Sequence, residues 1–297
     1  MISPAEKYRI IRRLGQQQRR KFGDVFLVED KTDSTLGVMK VVAKTATSSQ
    51  QETYLREEAS FDFRHPQLPA TLYQFESENE LVVVRSFAFG IPLNEFVKSL
   101  RSKQKPAFLH CLLQQLQPVF EELEKQHVLH LDIKPSNIII NGTPDTFTAY
   151  LIDFGISLRT GVTNNRSLLF PLGYAAPELL LNHLHLADRR TDIFALGIVF
   201  WQVFTGKLPL LHANPSITTN LQLTHPLPEH SDIPDRYYRI IKRMSAKHVF
   251  AVPPNKLSGE ETDKLLLSGM QERYSDLSEI IRDWEIALAK KKWFGLK

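Results

Sequence analysis

The sequence predicts an α+β fold of two lobes, a small β lobe followed by a larger, mainly helical one. Two patterns carry this reading. Short β-type runs crowd the first ninety residues, and after Gly90 the apolar residues recur at helical spacing. Two lobes leave a cleft between them, and such clefts favour ligands.

The β-type runs are Tyr8 to Leu14, Val25 to Val28, Gly37 to Val42, Thr71 to Phe75 and Leu81 to Val84, separated by polar or turn residues. One helix fits between Ser49 and Phe63, where neither proline nor glycine interrupts. Pro106 is suited to a helix start, and Phe108, Leu109, Leu112, Leu113, Leu116, Phe120 and Leu123 follow on one face. A further helix is expected from Asp192 to Thr205, stopped by Gly206 and Pro209. A last one carries Leu277, Ile280, Ile281, Trp284 and Leu288.

Composition narrows the function classes. The 297 residues are 42% hydrophobic and 24% charged, which excludes wholesale disorder. A single cysteine, Cys111, excludes an internal disulfide and a cysteine-based metal cage, and fits a reducing compartment. A net charge of +4, from 37 basic and 33 acidic residues, is too mild to argue for nucleic acid. The most apolar stretch, Ile193 to Phe204, contains Gln202 and falls well short of the about 20 residues that a membrane span needs. Met1 to Lys7 shows no basic start followed by an apolar core. The expectation is a cytoplasmic protein without a transmembrane segment.

Chemistry-bearing residues fall in four places. His130-Leu131-Asp132-Ile133-Lys134-Pro135-Ser136-Asn137 precedes the run Ile138-Ile139-Ile140. One tight loop thus offers a carboxylate, a cation and an amide. Phosphoryl transfer uses such a set to orient a hydroxyl, to meet the transferred group and to hold a metal. Asp153-Phe154-Gly155 follows the apolar run Tyr150-Leu151-Ile152. A carboxylate at a strand end can hold Mg²⁺. Alone the triplet marks a turn. Twenty-one residues after Asp132, with an Asn141-Gly142 turn signal between, it becomes far more specific. Lys40 lies in the apolar run Val38-Met39-Lys40-Val41; burying its ammonium is costly unless it meets an anion. Gly15, followed by Phe22-Gly23-Asp24-Val25, is a weak signal for a phosphate loop, because Gln16 to Lys21 intervene without a glycine.

These motifs, in this order, resemble the eukaryotic-like serine/threonine protein kinase family, which bacteria also carry. Ala176-Pro177-Glu178 resembles the family's close of the activation segment, Asp192 its helical-lobe aspartate, and Arg273 the late arginine that pairs with that glutamate. The resemblance spans residues 7–288 and implies a two-lobed protein-kinase-like fold. Its antiparallel β lobe would cover about 7–88, its helical lobe about 91–288, and a basic tail 289–297. It also implies ATP and Mg²⁺ as cofactors and protein substrates with Ser/Thr acceptors. By resemblance, Asp132 is the base, Lys134 meets the γ-phosphoryl, Asn137 and Asp153 bind Mg²⁺, and Lys40 holds the α- and β-phosphates. Gly15 and Gly23 would flank the phosphates. Val25, Val38 and Ile139 would enclose the adenine, and Ser86 to Ala88 would form the hinge. Both Glu57 and Glu58 are candidates for the helix glutamate that pairs with Lys40. Phe61 stands four residues after Glu57, and residues four apart share a helix face, so the reading takes Glu57.

Departures from the family pattern qualify the activity. Leu131 replaces an arginine found in many members. The phosphate loop lacks its middle glycine and carries Arg19, Arg20 and Lys21, expected at a solvated hairpin tip. Phe170-Pro171-Leu172-Gly173-Tyr174 lacks the threonine that assists the base. An insertion of about 248–271 holds Ser258-Gly259-Glu260-Glu261, a capping-box pattern that predicts a short helix to about Leu267. The tail Lys290-Lys291-Lys292-Trp293-Phe294 offers only marginal attraction to anionic lipid. Two other classes stay open: a pseudokinase acting as a nucleotide-binding or scaffolding module, and a small-molecule phosphotransferase.

Overall fold

The computed structural model describes residues 2–15, 23–161 and 170–293. The first lobe opens with a one-turn helix α1 (Pro4–Lys7), capped by Ser3. A five-stranded antiparallel sheet follows, in the order β1-β2-β3-β5-β4. Its strands are β1 (Tyr8–Arg13), β2 (Asp24–Asp30), β3 (Leu36–Ala43), β4 (Thr71–Glu76) and β5 (Glu80–Ser86). Helix α2 (Ser49–Ala59) interrupts the strand sequence and packs on β3 and β5. Strand alternation decides what faces it. Met39 turns into a sheet core with Tyr8, Val28, Val82 and Val84, whereas Val42, two residues beyond Lys40, meets Leu55 of α2.

Gly90 ends the first lobe. In the second, β6 (Ile91–Pro92), β8 (Ile138–Gly142) and β9 (Phe147–Leu151) form a three-stranded sheet, and β7 (Val128–Leu129) pairs with β10 (Leu158–Arg159). The helices are α3 (Leu93–Phe96), α4 (Lys105–Lys125), α5 (Pro177–Leu180), α6 (Arg189–Thr205), α7 (Pro215–Thr224), α8 (Asp235–Met244), α9 (Gly259–Gln271) and α10 (Leu277–Trp293). The main core joins Leu109, Leu112, Leu113 and Leu116 of α4 to α6 and α10, and the indole N–H of Trp284 donates to the Pro106 carbonyl at 2.9 Å. From Thr191 to Phe204 every residue of α6 except Gln202 is buried, so the most apolar stretch of the sequence is the central core helix. Among the described residues, no helix is long and apolar enough to cross a membrane.

The predicted elements recur with boundary shifts. Helix α6 starts three residues before Asp192, because Asp188 caps it reciprocally with Thr191, and it ends at Gly206 with φ +76° as expected. The predicted helix to Phe63 stops at Ala59. Within 248–271, Ser258 and Glu261 form the predicted capping box, but α9 runs to Gln271 rather than Leu267. It packs closely: Leu266 is buried with Leu223 and Phe250, and a Cβ at Gly269 would stand 2.3 Å from the His248 nitrogen. Helix α10 continues unbroken from Leu277 to Trp293. The side chains of 290–293, and residues 294–297, lie outside the described residues, as do Gln16 to Lys21 with Arg19 and Arg20.

Candidate active site

The candidate site is built where β3, α2, the loop before β8 and the loop after β9 meet. Lys40, on β3, is buried, and its Nζ lies 2.9 and 2.8 Å from the two carboxylate oxygens of Glu58 and 2.8 Å from Asp153 Oδ1. Two anions outweigh the desolvation that opposes its charge, so its ammonium is held protonated above its ordinary range. In turn, Lys40 brings Asp153 down to about 2. Gly155 adjoins this cluster, with room for a Cβ at ordinary contact distances. A Cβ there would stand 3.4 Å from Asp153 Oδ1, 3.7 Å from Lys40 Nζ and 3.8 Å from Glu58 Oε2.

The partner of Lys40 is therefore Glu58 and not Glu57. The reason lies in where the helix stops. Ser60 caps α2, so Phe61 stands beyond its last turn and the four-residue rule does not reach it. Phe61 still packs edge-on against Phe154, at 6.3 Å between ring centroids. Within the helix, Glu58 shares a face with Tyr54 and Leu55, four and three residues earlier, and all three are buried. That apolar stripe was the sequence signal for Glu58.

On the catalytic-type loop, Asp132 and Asn137 are buried and Lys134 is half-buried. Lys134 Nζ donates to both carboxylate oxygens of Asp132, at 2.9 and 2.7 Å. The Asn137 amide N–H₂ donates to Asp132 Oδ2 at 2.8 Å and to its carbonyl at 2.9 Å, which fixes the Asn137 amide oxygen away from Asp132. Burial raises the Asp132 pKa, opposed by Lys134. Leu131 has φ +61° and Asp153 φ +68°, left-handed conformations that cost non-glycine residues about 1–2 kcal/mol each. Asp192 stabilises the first of them: its two oxygens accept the backbone N–H groups of His130 and Leu131, each at 2.8 Å. Burial pushes the Asp192 carboxyl up to about 7. His130 is neutral, brought down to about 4 by burial. Its Nδ1 accepts the Asp132 N–H at 3.2 Å, and its Nε2 donates to the Ile152 carbonyl at 3.1 Å. This tautomer links the Asp132 loop to the segment carrying Asp153.

The remaining candidates line the β lobe and its exit. Val25 and Val38 are half-buried on β2 and β3, and Ile139 is buried on β8. Ser86 ends β5 with its N–H on the Ala70 carbonyl and its Oγ accepting the Ala70 N–H, both at 2.9 Å. Ala88 follows, half-buried, in the connection to Gly90. Gly23 has φ +87°, and a Cβ there would stand 2.3 Å from the Val41 carbonyl oxygen, so only glycine fits at this end of the loop. Gly15, at φ +77°, is exposed and has open space around it. In the helical lobe, Arg273 Nη1 and Nη2 donate to the two oxygens of Glu178 at 2.6 and 3.0 Å, with both side chains buried.

Two arginines hold the C-terminal end of α2. Arg85 is buried at the end of β5 and donates to the carbonyls of Glu58, Phe61 (2.8 Å) and Pro69 (3.3 Å) and to the Thr71 hydroxyl (2.5 Å). Arg159 donates to the carbonyls of Gln126 (2.8 Å) and Ser60 (3.0 Å) and lies over the Phe61 ring. Two cations thus sit at the C-terminal end of α2, where the helix dipole favours them. For Arg85, a cation in an apolar strand was the available signal, the same one that marked Lys40.

Fold and site together define the class: a two-lobed α+β scaffold, with a buried lysine–glutamate pair on one side and an aspartate–lysine–asparagine loop on the other. The chain belongs to the protein kinase domain family, whose model matches residues 8–264. It is 28% identical over 239 residues to a protein named serine/threonine-protein kinase D from Synechocystis sp., covering 74% of this chain and 45% of that protein. To serine/threonine-protein kinase D3 of Homo sapiens it is 24% identical over 273 residues, 89% of this chain and 28% of the relative. To Aurora kinase A-B of Xenopus laevis it is 26% identical over 208 residues, 69% of this chain and 48% of the relative. The chain thus spans about half, or less, of the length of these curated relatives.

Proposed function

We propose that this kinase domain transfers the γ-phosphoryl group of ATP to serine and threonine hydroxyls of protein substrates. The observation that carries the proposal is the assembled set of Lys40 paired with Glu58, Asp132 bonded to Lys134 and Asn137, and Asp153 facing Lys40. The relatives named serine/threonine kinases, and the lysine two residues after Asp132, support this acceptor class. Lys40 holds the α- and β-phosphates, Glu58 holds Lys40, and Asp132 orients the acceptor hydroxyl and takes its proton. Lys134, bonded here to Asp132, meets the transferred phosphoryl. Val25, Val38 and Ile139 enclose the adenine, the backbone of Ser86 to Ala88 lies along its edge, and Gly15 and Gly23 frame the phosphate loop.

Asn137 and Asp153 would hold Mg²⁺. The donor set fits a hard cation, since it is all oxygen, and the Asp153 side chain is 47% exposed to the cleft while only its Oδ1 is bonded to Lys40. Bound there, the ion neutralises charge on the phosphates. The test is incubation with γ-labelled ATP and Mg²⁺ plus a mixed protein extract, followed by phosphoamino-acid analysis. Label on serine and threonine is expected. Label on tyrosine alone, or on small molecules alone, would overturn the acceptor assignment.

A further inference from the structure

Outside the candidate active site, two imidazoles and a carboxylate converge between the loop after α5 and helix α9. His183 Nδ1 lies 2.5 Å from Asp263 Oδ1, and His185 Nε2 lies 2.9 Å from Asp263 Oδ2. The histidines come from the turn around Leu184, and Asp263 from the second turn of α9. The three donor atoms lie within 4.8 Å of one another, and among the described residues no other trio of histidine, cysteine, aspartate or glutamate donors comes as close together. Among the described residues, the other histidine–carboxylate contacts, His110–Glu285 and His230–Asp232, each pair one ring with one acid.

We propose that His183, His185 and Asp263 form a binding site for a divalent transition-metal ion, Zn²⁺ foremost, which fastens helix α9 to the loop after the Ala-Pro-Glu helix. Two imidazoles and one carboxylate form a borderline donor set that suits Zn²⁺, whereas Mg²⁺ and Ca²⁺ prefer oxygen alone. Donors around a tetrahedral zinc with bonds of about 2.0–2.1 Å lie roughly 3.3 Å apart. The two nitrogen–oxygen contacts, 2.5 and 2.9 Å, are shorter than that, so the Asp263 carboxylate has to draw back from both rings to admit the ion. The scaffold is already fixed on both sides. The His183 N–H donates to the Glu178 carbonyl at 2.8 Å, and beneath the trio Leu180, Leu181 and Leu186 pack with Leu223 and Leu266. The His185 side chain is 62% exposed, which leaves solvent access and room for water as a fourth ligand. Hydrogen bonds alone give a competing account, with one carboxylate accepting from two rings; metal retention separates the two.

The experiment uses the full chain, stripped with chelator, loaded with Zn²⁺ or Co²⁺ alone and passed through gel filtration. Retention of one equivalent of Zn²⁺ is expected, with a tetrahedral Co²⁺ absorption. At a free Zn²⁺ concentration a hundredfold above Kd, the melting temperature should rise by about 4 °C. His185→Ala, an exposed change that leaves the metal-free melting curve in place, should weaken Zn²⁺ binding at least tenfold, and Asp263→Asn likewise. Retention below about a tenth of an equivalent by the unaltered chain would overturn the site. So would unchanged retention in both variants, which would locate the ion elsewhere, at Asn137 and Asp153 for example.

Discussion

Neutralising Glu58 tests the pairing that sets the upper half of the cleft. Lys40 has two anionic partners, Glu58 and Asp153, each at 2.8 Å. Removing one partner of a buried ion pair costs about 3–5 kcal/mol when the other charge is left alone. Here Asp153 still faces Lys40, so about 2 kcal/mol is the expected loss for Glu58→Gln. The ammonium is then drawn towards Asp153 and away from the phosphates. In rate terms this is roughly a 30-fold fall in kcat/KM for ATP. Glu57→Gln, on a different face of α2, should stay within about threefold. Initial rates with labelled ATP and a mixed protein acceptor measure both variants, and nucleotide affinity measured in parallel separates binding from turnover. Damage from Glu57→Gln equal to or greater than that from Glu58→Gln would refute the register and the argument built on it.

Arg85→Met leaves the carbonyls of Glu58 and Phe61 without their buried donor, and should lower unfolding free energy in urea by about 3 kcal/mol or more; a loss below 1 kcal/mol would show that the carbonyls find other partners. Asp132, raised by burial, should give kcat/KM an acid limb above the ordinary carboxylate range, because activity falls as the base gains a proton. Asp153, held near 2, stays ionised across that limb, and Lys134→Met should move its midpoint to higher pH, whereas an unmoved midpoint would assign it to another group such as Asp192. Leu131 has no donor for an activation-segment phosphate, and Arg159 is already bonded to Gln126 and Ser60, so changing Thr160, Thr163 and Ser167 together to alanine should leave activity within a few-fold. Thr163, Ser167 and the nearby Arg166 lie outside the described residues. A hundredfold loss, about 2.7 kcal/mol, restored by acidic substitutions would establish control by loop phosphorylation.

What could be read from the sequence followed from how local each signal was. The strands of the β lobe are short alternating or apolar runs between turn residues, and each recurs within one or two residues of its predicted span. Asp132, Lys134 and Asn137 were legible because their spacing on one loop is itself the chemistry, and Lys40 because a buried cation demands anions. Glu58 was missed because the deciding fact, the end of α2 at Ala59, is set by packing and by the bonds around Ser60 and Arg85 rather than by a breaker residue. Helices α7 and α8 lie in 215–244, which the reading left unassigned. Tyr237, Ile240, Ile241 and Met244 carry helical spacing there and Pro234 precedes them, but no glycine or proline marks where the helix ends. Pro118 shows the opposite failure of a local rule, since α4 runs straight through it. The His183, His185 and Asp263 trio joins positions about eighty residues apart, which no local pattern reveals.

The central claim is that this chain performs phosphoryl transfer with Asp132 as base. Its most direct measurement compares the unaltered chain with Asp132→Asn, following both label transfer from γ-labelled ATP and nucleotide affinity. The account predicts that Asp132→Asn binds ATP and Mg²⁺ with affinity within a few-fold of the unaltered chain, while transfer falls by a thousandfold or more, about 4 kcal/mol. Equal rates in the two proteins would remove Asp132 from its role. ATP binding in both, with no transfer in either, would make the chain a nucleotide-binding module without turnover.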